Sequence, residues 1–216
     1  RRSLMGSATA LALFMGIAAP AFADPDAALA KLQETVLSKG PSGEDPSPAS
    51  DVVLSDEELA KIKEMGATAA IVMHYGGNDW SQAQINGLQT QFGAMGIEVI
   101  AVTDAGFKPE KQVSDLETIM AQSPDIIVSI PTDPTATAAA YRAAAEAGAK
   151  LVFMDNVPAG FVPGTDYVSV VSADNYGNGV AAAHLMAKAL GPDGGEIGLV
   201  FHAADFFVTK QRYDAF

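Results

Sequence analysis

The sequence predicts an α/β fold built on an open, parallel, doubly wound sheet, with one complete lobe and the start of a second. Three observations predict it. Apolar runs of strand length lie at 68–74, 98–103, 125–130, 150–154, 167–172 and 196–201, rich in Val and Ile and apolar on both faces. Helix-length segments at 81–95, 109–122, 134–147 and 177–190 separate most of them. The segment 135–149 is rich in Ala, whose small side chain lets a helix approach a sheet closely. Runs buried on both faces and joined through helices form parallel sheets covered on both sides, and such crossovers are right-handed almost without exception.

Four segments follow in order: 1–23, 24–66, 67–172 and 173–216. The first opens with Arg1-Arg2, continues through an apolar stretch over 4–19, and ends in Ala21-Phe22-Ala23 before Asp24. That is the layout of a cleavable secretory leader, with cleavage after Ala23. A membrane span needs about 20 strongly apolar residues; Gly6, Ser7, Thr9, Gly16 and Pro20 dilute this one, so no membrane insertion is expected after cleavage. The twin arginine leaves the general and the folded-export routes both open. With no cysteine, a lipid-modified cysteine anchor, a disulfide framework and a thiolate metal site are excluded. These features fit a soluble periplasmic protein.

Segment 24–66 is acidic and punctuated by proline and serine. A short helix is expected over 24–38, with Ala28, Leu32 and Val36 on one face, and a loop over 39–50 around Gly40, Pro41, Gly43, Pro46 and Pro48. Ser55 and Glu58 have the spacing of a capping box, and Gly66 is placed to stop the helix that they open. Whether this extension packs across the lobe or reaches a partner is left open by its composition. At the other end, the strand at 196–201 follows a turn at 191–195, and a helical pattern begins near Phe207 and runs to Phe216. A strand and a partial helix cannot bury a sheet face alone, so a fragment is expected, with more of the second lobe to follow; the missing initiator Met points the same way.

Charge narrows the partners. The formal net charge is −13, and loss of Arg1 and Arg2 with the leader makes it more negative by two. Nucleic-acid binding needs clustered Lys and Arg to displace counterions, and none cluster here. An anionic membrane surface repels such a body. A neutral or polar small molecule is the natural partner.

Ligands of open parallel sheets bind beyond the carboxyl ends of the strands. The first strand is followed by His74-Tyr75-Gly76-Gly77-Asn78-Asp79-Trp80, the third by Pro131-Thr132-Asp133 and the fourth by Asp155-Asn156. Ala173-Asp174-Asn175 follows the fifth, and the stretch from His202 to Phe207 the sixth. Hydrogen-bonding side chains alternate with aromatic faces, which is what a polyhydroxylated ligand requires. Asp133, Asp174 and Asn175 also stand where helix N-caps belong, and capping alone explains them equally well. Gly76-Gly77 lacks the G-x-G-x-x-G context of a phosphate cradle and reads as a tight turn. His74 and His202 fall at strand ends without metal-ligand spacing. No nucleophile elbow or nucleophile–base pair is present. No catalytic residue, metal or cofactor is therefore expected.

From Ala67 to Phe216 the chain resembles the type I periplasmic sugar-binding proteins, the ribose- and galactose-binding group that feeds ABC importers. Residues 71–87 are similar to that family's strand, polar turn and aromatic helix start. The resemblance implies that Asn78 and Asp79 bind ligand and that Trp80 stacks on it, although Asp79-Trp80-Ser81 departs from the family by replacing its usual proline–aromatic pair. Val152-Phe153-Met154-Asp155-Asn156 resembles the motif whose Asp and following residue hold sugar hydroxyls, with Asn156 in place of a common arginine. Val171-Ser172-Ala173-Asp174-Asn175 resembles the first crossover between lobes, with Asn175 at the functional asparagine. Arg212 to Phe216 is similar to the Arg-x-x-x-Phe stretch of the second lobe, whose arginine grips the sugar. Phe206 is expected to face Trp80 across the ligand. The implied function is capture of a monosaccharide or sugar alcohol by hinge closure and delivery to an ABC importer permease, as a monomer. The alternatives are a sugar-sensing module for a chemoreceptor or histidine kinase and, with nothing catalytic to support it, an exported α/β hydrolase.

Overall fold

A computed structural model describes residues 24–202 and 206–216; the leader and its cleavage site lie outside the described residues. Helix α1 (Pro25–Leu32) is followed by largely irregular chain with one short 3-10 turn (Ala49–Val52), and then by α2 (Asp56–Met65). The alternating body then runs β1 (Thr68–Met73), α3 (Asp79–Ala94), β2 (Glu98–Asp104), α4 (Pro109–Met120), β3 (Ile126–Ser129), α5 (Ala138–Glu146), β4 (Lys150–Met154) and β5 (Ser169–Val171). Helices α6 (Asn175–Leu190) and α7 (Phe207–Ala215) close the chain.

The five strands form one sheet in the order β2-β1-β3-β4-β5. Every pairing is parallel. β1 is an interior strand, paired on both sides, and its alternation divides the core. Ala70 and Val72 face a layer with Leu116, Ile119, Tyr141 and Phe153, while Ala69, Ile71 and Met73 face one with Ile85, Phe92 and Met154. Helices α4 and α5 supply the first layer and α3 the second, so the sheet is doubly wound as expected. Ile71, Val72 and Met73 are wholly buried; sequestering side chains of this size is worth about 1.5–3 kcal/mol each.

Polar contacts fix the rim where the strands end. Gln112, wholly buried on α4, donates from Nε2 to the Ile130 carbonyl at 2.8 Å. Its Oε1 accepts from the Thr132 amide at 2.8 Å, which pins the loop after β3. Asp133 Oδ1 accepts from the amides of Thr135 and Ala136 at 2.8 and 2.7 Å. Asp133 therefore stabilises a turn, and α5 begins later than its sequence pattern suggests.

Two expectations need correction. The run at 196–201 is irregular rather than a strand: Val200 is fully exposed and Phe201 is 59% exposed. Its local pattern suits a strand, but a strand exists only through a ladder, and among the described residues no strand lies beside it to pair. At the other end, α1 stops at Leu32, and Val36 is exposed instead of continuing the Ala28–Leu32 face. Beyond the helix, the amides of Leu37 and Ser38 bond to the distant Asp174 carboxylate at 3.0 and 2.9 Å, which holds the chain extended. The capping box forms as expected, with the Ser55 amide donating to Glu58 Oε2 at 2.8 Å and the Glu58 amide to Ser55 Oγ at 3.3 Å. Gly66 ends α2 in the left-handed region at φ 59°.

Candidate binding site

Two sets of side chains meet at the carboxyl rim of the sheet, one aromatic and one hydrogen-bonding. His74, immediately after β1, lies at the centre of the aromatic set. Its ring packs edge-on against Phe107 at 5.0 Å, Trp80 at 6.4 Å and Phe206 at 6.5 Å between centroids. Tyr75 stacks on Phe107 at 4.9 Å, and His202 stacks on Phe206 at 5.1 Å. Phe107 reaches this position because its backbone is left-handed, φ 59°, while its amide donates to the His74 carbonyl at 2.8 Å. The turn before α3 is tight: a Cβ on Gly77 would stand 2.4 Å from the Tyr75 hydroxyl.

Burial among these rings pushes the His74 pKa down. The charges of Asp155 and Asp104 oppose that pull, and His202 adds to it. Asp155 thus acts on the same imidazole that Trp80 and Phe206 touch.

The hydrogen-bonding set forms a relay across the loop between β5 and α6. Ser172 Oγ donates to Asp155 Oδ1 at 2.7 Å. Asn175 Nδ2 donates to Ser172 Oγ at 2.7 Å and to the Ala173 carbonyl at 3.0 Å. Arg212 Nε donates to Asn175 Oδ1 at 2.8 Å. Asp155 adopts φ 60°, a left-handed conformation that Asp tolerates better than most residues, and its amide donates to the Val171 carbonyl at 3.0 Å. Asn175 is fully buried, so its amide is held on both sides and orients Ser172 and Arg212 together.

A cavity of about 490 Å³ opens beside the aromatic set, lined by His74, Phe107, Phe201, Phe206, Arg212 and Tyr213 among others; Arg212 is the one relay residue in its lining, and Asn78, Asp79, Trp80, Asp155, Asn156 and Asn175 lie outside it. Small-molecule pockets span about 300–1,000 Å³. Charged donor and acceptor groups beside aromatic faces can hold a hydroxylated ring or chain. Among the described residues, no three His, Asp or Glu side chains converge to hold a metal ion.

The remaining sequence candidates divide. Asn78 Oδ1 accepts from the Ser81 amide at 2.8 Å and so caps α3, leaving its Nδ2 for another partner. Asp79 is exposed on the first turn of α3 beside Trp80, which is 48% exposed. Asn156 is buried, and its side-chain oxygen has no hydrogen-bond partner among the described residues. Asp174 takes the capping role, accepting from the Gly177 amide at 2.9 Å, whereas Asn175 does not cap. Phe107 and Ser172 were not singled out in the sequence. Phe107 follows the second strand, in the same rim position as the other candidates, so strand-end placement was the signal available.

The fold and the rim at its strand ends define a doubly wound, parallel α/β class of protein. A profile of the periplasmic binding protein domain matches residues 69–216, well over half of the sequence, and the chain belongs to the periplasmic binding protein domain family. The resemblance drawn from its motifs therefore holds at the level of family and fold. No curated protein sequence matches it. Among solved structures it is similar to an ABC transporter solute binding protein from Mycobacterium smegmatis with bound glycerol, at 24% identity and TM-score 0.63, over 69% of this chain and 50% of that one. It is also similar to an ABC sugar transporter subunit from Rhodobacter sphaeroides 2.4.1, at 26% identity and TM-score 0.58, over 69% and 50%. A third is an ABC transporter solute binding protein from Agrobacterium vitis bound with alpha-D-tagatopyranose, at 25% identity and TM-score 0.61, over 69% and 52%. The chain spans about half the length of these structures.

Proposed function

We propose that this protein captures a monosaccharide or sugar alcohol in the periplasm and delivers it to the permease of an ABC importer, acting as a monomer and without turnover. The observation that carries this reading is the relay from Asp155 through Ser172 and Asn175 to Arg212, set beside the aromatic group around His74. Asp155 accepts from ligand hydroxyls and Arg212 donates to them; bonds that involve a charged group are the stronger kind. Trp80 and Phe206 offer apolar faces to the C–H side of the ring, and Asn78, Asp79 and Asn156 supply further polar groups at the ends of β1 and β4. Export rests on a leader cleaved after Ala23.

Closure of two lobes about the crossover completes the bonds and buries the solute, and ligand shifts that equilibrium only through its differential affinity for the closed form. The bound glycerol and tagatopyranose of the similar structures favour this ligand class. A thermal-shift screen of pentoses, hexoses and polyols tests it. At least one should raise Tm in a saturable way and be recovered unchanged. A panel with no shift refutes capture, and conversion of the ligand refutes a purely binding role.

A further inference from the structure

The segment after α1 ties itself to both sides of the Asn175–Arg212 hydrogen bond. Ser38 Oγ donates to Asp174 Oδ1 at 2.8 Å and accepts from the Tyr176 amide at 2.9 Å. The amides of Leu37 and Ser38 also donate to the Asp174 carboxylate. One residue further on, the Lys39 carbonyl accepts from Gln211 Nε2 at 3.0 Å. Asp174 and Tyr176 flank Asn175 in the chain, and Gln211 precedes Arg212. Three consecutive residues of the extension therefore grip the neighbours of both partners, from more than 130 positions away.

We propose that Ser38 is a positioning residue for the binding rim, and that segment 37–39 acts as a strap setting the distance and orientation of Arg212 relative to Asn175. The assignment rests on the proposed sugar site for its functional meaning, while its structural content stands separately. The strap has a second support: Lys188 on α6 pairs with Asp26 on α1 at 2.6 Å, so the extension lies along α6 as well as across its start. The geometry of the knot explains its dependence on small residues. A Cβ on Gly177 would stand 2.2 Å from Asp174 Oδ2, crowding the carboxylate that holds Leu37 and Ser38. Burial raises the Asp174 pKa, but the bonds from Leu37, Gly177 and Ser38 outweigh it and hold the carboxyl below its ordinary value. Asp174 thus stays ionised and able to accept throughout the neutral range.

The test uses the full chain and two readouts. The first needs no ligand: the exchange rate of the Arg212 Nε–H, followed by nitrogen-15 NMR. Ser38→Ala should speed that exchange by about tenfold, the equivalent of one lost hydrogen bond, and Ser38→Thr, which keeps the hydroxyl, should restore it. The second is affinity for whichever sugar or polyol the screen identifies. Ser38→Ala should weaken it in the wild-type background and have no effect in an Arg212→Ala background. Gln211→Ala, which removes only the exposed anchor, should act in the same direction and serves where Ser38→Ala fails to fold. Unchanged Arg212 exchange in both variants overturns the strap, as does a loss of Tm with no change at Arg212. If no sugar binds the wild type, the proposed function fails, while the exchange readout still decides this inference.

Discussion

Arg212 spends one N–H on Asn175, and in the proposed site the terminal amino groups of its guanidinium serve the ligand. The Arg212 side chain is exposed, but removing it strips the donor from the oxygen of buried Asn175 and should cost about 1–3 kcal/mol of stability as well. Arg212→Ala is expected to weaken binding by about 1.5–3 kcal/mol, or roughly 10–150-fold, as befits loss of a charged donor. Arg212→Lys should fall between the two, because it keeps the charge but loses the planar fork. Isothermal calorimetry measures both. His74 makes a different prediction. Its folded pKa lies below the unfolded value of about 6.5, so the fold favours the neutral ring. That contribution is complete above the unfolded value and is lost as pH falls through it towards the folded one. Tm should therefore drop on acidification from about pH 7.5 to 5, and His74→Gln should show a smaller drop in the same series. Equal slopes would remove His74 from the account.

At the scale of elements, close approach of α6 and α7 places Arg212. A Cβ on Gly179 would stand 2.4 Å from the Arg212 carbonyl and 2.7 Å from the Ala215 Cβ. Gly179→Ala must push the two helices apart, and overpacking of this kind costs about 1–3 kcal/mol. It should weaken ligand binding as well as stability, whereas Ser55→Ala, which removes the cap of α2, should cost about 1 kcal/mol of stability and leave affinity alone. Urea denaturation and calorimetry on the same samples separate the two. Much of this level is legible in the sequence. The strands β1 to β4 follow from continuous Val- and Ile-rich runs, and the capping box from Ser55 and Glu58 alone. The failed strand at 196–201 and the early end of α1 share one cause: each depends on partners distant in the chain, a ladder neighbour in one case and Asp174 in the other. The site is legible to a similar degree. Asp155, Asn175 and Trp80 stand out as polar or aromatic residues just past strand ends. Phe107 is marked only by its place after the second strand, its reach depending on a left-handed turn, and Ser172 depends on a side-chain bond to Asp155 that no local pattern encodes.

For the whole molecule, a parallel sheet wound on both faces fixes the strand ends to one rim, so residues far apart in sequence share one surface. β1, β4 and the loop between β5 and α6 each contribute a group to it, and α7 returns Arg212 from beyond α6. The extension crosses the same region instead of trailing away from it. Binding at the proposed site should therefore stabilise the strap and the rim together. Trp80 is the only tryptophan and lies beside His74 at the mouth of this rim, which makes it an intrinsic reporter. The decisive measurement is its fluorescence during titration with the sugar or polyol that raises Tm. A saturable change that shifts to higher concentration in Arg212→Ala and in Asp155→Asn is the expected result. A wild-type curve that either variant reproduces unchanged would contradict a ligand held between the relay and the aromatic group.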